Sequence, residues 1–147
     1  MPDVSQIVEV RMLGPDDLDL LIDTPEGVFD DPLRPVRAAE FLGDPRHLLM
    51  AAIEDKRIIG FASAVLYVHP DKPSPELWIN EVSVLQTHHR RGIGRRLIGA
   101  MVAAARAKDC SQVWVQTETG NVAARALYRA CGAWETDGVV HYEFKLE

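Results

Sequence analysis

The sequence has little cysteine, no long apolar run and no excess of basic residues, and each of these features excludes a class of protein. Its two cysteines, Cys110 and Cys131, lack metal-type spacing and are expected to be free thiols rather than a disulfide. No apolar run approaches the roughly 20 residues that span a bilayer. Residues 1–4 contain no basic, apolar leader of the secretory kind. A cytoplasmic protein without a bound metal is therefore expected.

Acidic residues outnumber basic ones, and they are concentrated in the first part of the chain. The net charge is −6 over 147 residues, a length that predicts one domain covering residues 1–147. Residues 1–55 contain 13 acidic and four basic side chains, whereas residues 56–147 contain nine acidic and 12 basic ones. Nucleic acid is a poor partner because the only basic cluster is one short turn.

That turn, residues 89–96, combines arginines with two glycines between a predicted strand and a predicted helix. Val82 and Val84 precede it in a strand pattern, and from Leu97 onwards the apolar residues follow helical spacing. A helix that begins at glycines presents unpaired backbone N–H groups and the positive end of its dipole, which together favour phosphate. The turn lacks the third glycine of a dinucleotide fingerprint and the Gly-Lys-Ser/Thr of a Walker loop. A helix start with surface arginines is the plain alternative.

The predicted elements follow the order strand, two helices, three strands, helix, strand, helix, strand. The predicted helices begin near residues 15, 35, 94 and 121. Antiparallel hairpins followed by a strand-helix-strand crossover predict an α+β fold with a mixed sheet. The predicted strands cover residues 6–12, 48–53, 58–68, 76–85 and 112–117, with a last one formed by the alternating residues Val140, Tyr142, Phe144 and Leu146.

Two motifs in this order resemble those of one enzyme superfamily. The turn His89-Arg90-Arg91-Gly92-Ile93-Gly94 resembles the Gln/Arg-x-x-Gly-x-Gly/Ala pyrophosphate motif of the GNAT superfamily of acetyl-CoA-dependent N-acetyltransferases, with His89 where Gln or Arg is usual. The element order agrees over essentially the whole chain. The resemblance implies a mostly antiparallel sheet with helices on both faces, and acetyl-CoA as the donor. The second motif, which resembles the family's Asn and Tyr helix, consists of Asn121, Ala124, Leu127, Tyr128 and Gly132.

Scattered segments look more narrowly like aminoglycoside 3-N-acetyltransferases and their relatives. These are residues 13–16, 80–84, 89–93 and 115–118, the last leading to residues 126–128. This likeness and the acidic first part predict a small amine acceptor of the aminoglycoside or polyamine type. Asp30 and Asp31 would draw in its positive charge, or would simply keep the protein soluble. A homodimer is one assembly that the sequence leaves open.

The resemblance also implies how the donor is held. The strand before the turn would pair with pantetheine through its main chain, and the Val84 N–H would polarise the thioester carbonyl. Asn121 would bind pantetheine, serve as a helix cap, or do both. The implied donor-binding residues are Val82, Ser83, Val84, His89, Arg90, Arg91, Gly92, Ile93, Gly94, Arg95, Asn121, Ala124 and Tyr128.

Three side chains are candidates for proton transfer. Tyr128 is the expected general acid, because a hydroxyl of pKa about 10 can protonate a thiolate whose conjugate thiol has a pKa of about 8.5. Glu81 is the leading general base, or else a structural or acceptor-binding carboxylate. Simple alternation places it opposite Val82 and Val84, unless a bulge changes the parity. Glu118 is the second candidate for the base and for acceptor contacts.

The expected reaction is direct transfer of the acetyl group from acetyl-CoA to a primary amine in a ternary complex. Neither cysteine has a histidine nearby in the sequence, which argues against an acetyl-cysteine intermediate. The alternatives are an acyl-CoA-binding regulatory module without catalysis, a protein or peptide N-acetyltransferase, and a nucleotide-binding protein that uses the same turn.

Overall fold

The computed structural model describes residues 7–146, which contain a five-stranded sheet. The strands lie side by side in chain order, and each neighbouring pair is antiparallel except the last, which is parallel. The predicted α+β class with a mixed, mostly antiparallel sheet is therefore confirmed. The strands are β1 (Glu9–Met12), β2 (His47–Glu54), β3 (Arg57–Tyr67), β4 (Glu76–Val84) and β5 (Gln112–Val115).

Four helices accompany the sheet, with starts at or near the predicted residues. Prolines occupy the first turns of the segments at residues 15 and 35, where a missing N–H costs nothing. None of the helices described over residues 7–146 has the length and apolar character needed to cross a membrane. The helices are α1 (Leu18–Ile22), which follows a 3₁₀ turn at Pro15–Asp17, α2 (Pro35–Gly43), α3 (Ile93–Ala107), which follows a 3₁₀ turn at Gln86–His88, and α4 (Val122–Ala130).

The sheet buries apolar side chains on both faces. On one face, Ile79 of the sheet packs in a cluster with Leu97 and Met101 of α3, whose apolar residues recur at helical spacing. On the other face, Phe61 packs in a cluster with Leu21, and α1 and α2 cover it. Helices therefore flank both faces, as the resemblance implied.

A bulge in β4 decides which of its residues face each cluster. Asn80 has no partner in β3, because the register passes directly from Ile79 to Glu81. Ile79 before the bulge and Val82 after it both pack against the α3 side, although residues three apart in an unbroken strand face opposite sides. The Ser63 hydroxyl donates a hydrogen bond to Asn80 Oδ1 at 2.5 Å and holds the bulged residue in place.

The two ends of the chain depart from the predicted strands. The first strand begins at Glu9, and residue 6, where it was predicted to begin, lies outside the described residues. Residues 133–146 form neither helix nor strand, so the predicted last strand is wrong. Its apolar members are Val140, Tyr142, Phe144 and Leu146, which are 69%, 83%, 91% and 92% exposed. Alternation suits a half-buried strand, but a strand also needs a neighbour for its N–H and C=O groups, and this segment pairs with none of β1–β5.

Candidate active site

A cleft opens where β4 and β5 separate. The two strands pair in parallel from Glu76 with Gln112 to Ile79 with Val115, where β5 ends while β4 continues to Val84. The remaining part of β4 and the start of α4 border a cavity of about 310 Å³, which contains both predicted catalytic residues. The cavity is lined by Val28, Asp30, Asn80, Glu81, Val82, Ser83, Val115, Gln116, Thr117, Asn121, Ala124 and Tyr128.

The main chain of Val84 is directed away from β3. The Leu85 N–H donates to the Ile59 carbonyl at 2.8 Å, and main-chain groups alternate in direction along an antiparallel pair. The N–H and C=O of Val84 therefore point to the side where β5 has already ended. His89 Nε2 lies 2.8 Å from the Val84 carbonyl oxygen and donates to it in its Nε2–H tautomer. The imidazole that departs from the family motif is thus turned toward the strand backbone.

The two glycines of the turn have different surroundings. Gly92 precedes α3 with a left-handed φ of 74°, and nothing lies within 4 Å of where a Cβ would be. At Gly94, a Cβ would lie 3.2 Å from a methyl carbon of Leu127 in α4. Gly92 therefore permits the turn and leaves open space beside it, whereas Gly94 lets α4 pack closely on α3.

The first amides of α3 are available to a ligand. The first backbone hydrogen bond of the helix joins the Arg96 N–H to the Gly92 carbonyl at 3.1 Å. The N–H groups of Ile93, Gly94 and Arg95 precede it and have no acceptor within the helix. They lie at the positive end of the helix dipole, an arrangement that suits a phosphate group.

The four arginines of the turn are not equivalent. Among residues 7–146, Arg90 makes neither a hydrogen bond nor an ion pair, and its φ is 65°. Its charge is therefore the one that a ligand could meet without breaking a contact in the protein. Arg91, Arg95 and Arg96 instead donate to oxygens of Glu54, Ala130 and Val8, at 3.1, 3.4 and 2.8 Å respectively.

Tyr128 reaches the cleft from α4. Its ring is half-buried against the cluster on the α3 side. Burial raises the pKa of the Tyr128 hydroxyl above its ordinary value, and the neighbouring Cys131 thiol acts in the same direction. The hydroxyl therefore stays protonated at neutral pH, which is the form that a general acid requires.

Asn121 and Ala124 begin α4 at the edge of the same cleft. Asn121 Oδ1 accepts a hydrogen bond from the Ala124 N–H at 3.0 Å, so Asn121 is the N-cap of the helix. Asn121 therefore serves as a helix cap, which is one of its two predicted roles. Asn121 and Ala124 also line the cavity. A second role for Asn121 toward pantetheine stays a prediction.

Glu81 lies on the face of β4 opposite Val82 and Val84. The bulge at Asn80 comes before all three, so the alternation between them is unbroken. Partial burial of the carboxyl of this otherwise exposed residue raises the pKa of Glu81, and the negative charges of Asp30 and Asp31 raise it further. A carboxylate in this setting is a stronger base than an ordinary surface glutamate.

The acidic loop (residues 28–31) holds its carboxylates against this face of β4. The Ser83 hydroxyl donates to the Val28 carbonyl at 2.7 Å, and Val28 is buried. The next residue, Phe29, stacks on a phenylalanine of β3 with 4.1 Å between the ring centroids. These contacts place Asp30 at the cavity, with Asp31 beside it on the exposed part of the loop.

Glu118 is not brought together with Glu81 and Tyr128. It is exposed beyond the end of β5 and is not among the residues that line the cavity. Gln116 and Thr117 line it instead. They were predicted as the end of a strand and as part of the resembling segment 115–118, but not as site residues. The signal that could have identified them is their position after the carboxyl end of a strand in a parallel pair, where ligands often bind.

Metal-ligating side chains are not clustered in the part of the chain that the structure describes. No group of three or more His, Cys, Asp or Glu residues is placed to hold a metal ion there. Cys110 and Cys131 are both free thiols.

Sequence comparison identifies the family. A profile described as the acetyltransferase (GNAT) family matches residues 18–133. The chain is 31% identical over 122 residues to an aminoglycoside N(6′)-acetyltransferase type 1 of Stenotrophomonas maltophilia, which covers 80% of this chain and 78% of the relative. A protein of the same name from Serratia marcescens is 30% identical over 111 residues, 73% of this chain and 76% of that one. Both relatives are named for the 6′ position, so they do not specify the 3-N subtype of the sequence-based expectation.

Structural comparison agrees with the sequence match. The chain has a TM-score of 0.85 to the crystal structure of an aminoglycoside acetyltransferase from a soil metagenomic sample in complex with sisomicin, at 20% identity, with 99% of this chain and 100% of that one covered. At this identity the likeness shows the fold. The expected superfamily, fold and donor are confirmed: the chain belongs to the acetyltransferase (GNAT) family and is an acetyl-CoA-dependent N-acetyltransferase.

Proposed function

We propose that the enzyme acetylates a primary amine of a small cationic acceptor, of the aminoglycoside or polyamine type, by direct attack in a ternary complex. The observation that carries the proposal is the position of Glu81 and Asp30 in the same cleft as Tyr128. Carboxylates on one side of the cleft would attract a cationic amine. The names of the relatives, aminoglycoside N(6′)-acetyltransferases, support the same acceptor class.

The donor would lie along β4 and across the start of α3. The N–H groups of Ile93, Gly94 and Arg95 would hold the pyrophosphate, with the charge of Arg90 beside them. Pantetheine would pair with β4 where β5 has ended, and the His89 ring would leave the Val84 carbonyl to make room. The Val84 N–H, which points to the same open side, would polarise the thioester carbonyl.

Proton transfer would use Glu81 and Tyr128, two of the titratable groups of the cleft. A protonated amine cannot attack, so Glu81 would first take its proton, directly or through water. The amine nitrogen then forms the new C–N bond while the C–S bond breaks and its electron pair leaves with sulfur. Tyr128 would give its proton to the departing thiolate, which leaves as CoA thiol. The amide nitrogen would release its remaining extra proton, through water, to the Tyr128 oxygen, which restores the tyrosine.

The proposal is tested by measuring thiol release from acetyl-CoA across a panel of aminoglycosides, polyamines and peptides with free amino termini. We expect release with aminoglycosides or polyamines and a product heavier by one acetyl group in mass spectrometry. Release with peptides alone would favour the peptide N-acetyltransferase alternative. Tight CoA binding without release for any amine would favour the regulatory module.

A homodimer is part of the proposal. The tail (residues 133–146) exposes the large apolar side chains Trp134, Tyr142, Phe144 and Leu146, and burying them between two copies would be favourable. The outer edge of β5 pairs with none of the other described strands, so the tail of a second copy could add to it.

The assembly is tested by light scattering after gel filtration. We expect the mass of a dimer for the natural chain and of a monomer for the double variant Tyr142→Ser, Phe144→Ser. A natural chain that stays monomeric at all concentrations would contradict the dimer.

The cytoplasmic location is likewise proposed, because acetyl-CoA is used inside the cell, and cell fractionation would test it.

A further inference from the structure

We propose that Glu54, at the end of β2, is a positioning residue that holds the donor-binding turn in its binding-competent shape. One carboxylate oxygen, Oε1, lies 2.8 Å from His88 Nε2, and the other, Oε2, lies 3.1 Å from Arg91 Nη1. His88 immediately precedes residues 89–92 of the turn and Arg91 lies within them. A single side chain from another part of the sheet therefore fastens the turn at two places.

The contacts of Glu54 are shielded from water on the strand side. The side chains of Glu54 and His88 are only 17% and 14% exposed, whereas Arg91 is 48% exposed. The His88 ring must carry its proton on Nε2 to donate to the carboxylate. Its Nδ1 lies 2.8 Å from the Thr87 hydroxyl, which can donate to it in that tautomer. Both ring nitrogens are thus satisfied, which fixes the orientation of the ring.

The turn needs stabilising contacts from other parts of the protein because its own backbone conformation is unfavourable. Arg90 and Gly92 have φ values of 65° and 74°, and a left-handed conformation is uncommon for a residue other than glycine. The amides that follow at the start of α3 have no acceptor within the helix. Contacts on either side of Arg90, at His88 and Arg91, therefore add to the His89 contact with the Val84 carbonyl in keeping this short segment folded.

The direction in which CoA affinity changes when Glu54 is removed distinguishes a positioning role from a purely electrostatic one. Glu54 is a negative charge beside a site for an anionic ligand, and it also occupies Arg91. On charge alone, its removal should strengthen the binding of CoA, because repulsion falls and a guanidinium is released. If Glu54 positions the turn, its removal should weaken binding, because only a fraction of the molecules then has the competent turn.

The test uses Glu54→Gln in the full chain, with CoA affinity measured by calorimetry and the rate with two donors. We expect the Kd for CoA to rise about tenfold, as when a tenth of the molecules is competent. With acetyl-CoA, KM should rise while kcat at saturation is retained. With S-acetylpantetheine, which lacks the pyrophosphate, the variant and the natural chain should have the same rate. Glu40→Gln, which removes a carboxylate paired with Arg37 on α2, is the matched control. It should change neither the Kd for CoA nor the rate with either donor.

The inference rests on the donor site proposed above, but different experimental results would overturn the donor site and the positioning role of Glu54. A natural chain that does not bind CoA would overturn the donor site itself. Equal or tighter CoA binding by Glu54→Gln, or an equal loss with both donors, would overturn the positioning role alone. A double variant of Glu54→Gln with His88→Gln checks the physical contact, because it should bind CoA no more weakly than Glu54→Gln alone. Additive losses would contradict the link.

Discussion

The donor turn (residues 89–96) and the acidic loop (residues 28–31) border the same strand, yet in the proposed function they would recognise their ligands by different means. The turn offers backbone N–H groups whose positions follow from a left-handed glycine and a helix start. The acidic loop offers side-chain charge, and its backbone is held by contacts with β3 and β4. Backbone recognition is tied to a short sequence motif, whereas charge recognition is tied to where distant residues meet.

This difference explains why the donor can be named with more detail than the acceptor. A helix start with open N–H groups selects for an anion such as phosphate. A pair of aspartates beside Glu81 fits any amine that carries positive charge. If the two regions act separately, variants of one should change the binding of its own ligand only, and variants of Tyr128 and Glu81 should change the rate of acetyl transfer.

The largest effect is expected at Tyr128, which lines the same cleft as Asp30 and Glu81. Tyr128→Phe should lower kcat by about 100-fold, since loss of a general acid commonly costs that much, while the Kd for CoA changes little. Steady-state rates and calorimetry measure the two quantities. Tyr67→Phe is the matched control, because that hydroxyl bonds Glu76 and Trp114 at the other end of β4. An unchanged rate for Tyr128→Phe would remove Tyr128 as the acid.

A smaller effect is expected for the base. Glu81→Gln should lower kcat/KM about tenfold, less than the loss at Tyr128, because water can reach this exposed carboxyl and take the proton instead. The raised pKa of Glu81 predicts an acid limb of kcat/KM above the ordinary carboxylate range, and this limb should disappear in the variant. The control is Glu76→Gln on the same strand, whose pH profile should keep the limb. A limb that persists in Glu81→Gln would assign the base elsewhere.

Changes in the acidic loop should alter the binding of the acceptor only. Asp30→Asn and Asp31→Asn should each raise KM for a cationic acceptor about threefold at low salt, with less effect at high salt, because exposed charges are screened. The Kd for CoA should stay the same. Asp71→Asn, which removes an exposed carboxylate paired with Lys72, should leave KM unchanged. Equal effects of all three variants would reduce the acidic loop to general surface charge.

The smallest effect concerns stability. The pKa of Glu81 is raised in the folded state, so its contribution is full below the unfolded pKa and is lost as pH rises through the folded pKa. Above that pH, the charged carboxylate disfavours folding. Glu81→Gln should therefore raise Tm at pH 8 by no more than about 3 °C, given solvent screening. The gain should vanish near pH 4. Thermal unfolding at both values measures it, and a lower Tm at pH 8 would contradict the sign.

The parts of the fold that the sequence predicts are those in which local pattern and packing agree. The start of α3, the four central strand segments and the cap at Asn121 follow from apolar period, glycine and capping chemistry. The tail shows the limit of pattern alone. Its alternation is as regular as that of the real strands, but pairing depends on a neighbour that the pattern does not name.

The details of the site depend on contacts between residues far apart in the chain. The bulge at Asn80 left a trace in the sequence, because apolar residues at 77 and 79 are followed by apolar residues at 82 and 84. The link between Glu54 and Arg91 left none, because any of several carboxylates could have met the turn. The same holds for Gly94, whose packing against Leu127 is visible only once α4 is placed.

In the proposed reaction the acetyl group passes directly between two ligands that occupy one cleft. Initial rates measured over a grid of acetyl-CoA and aminoglycoside concentrations test this direct transfer. We expect intersecting double-reciprocal lines and no acetylated enzyme in the mass spectrum after incubation with acetyl-CoA alone. Parallel lines together with an acetyl-enzyme would contradict it, because they indicate a covalent intermediate on the protein.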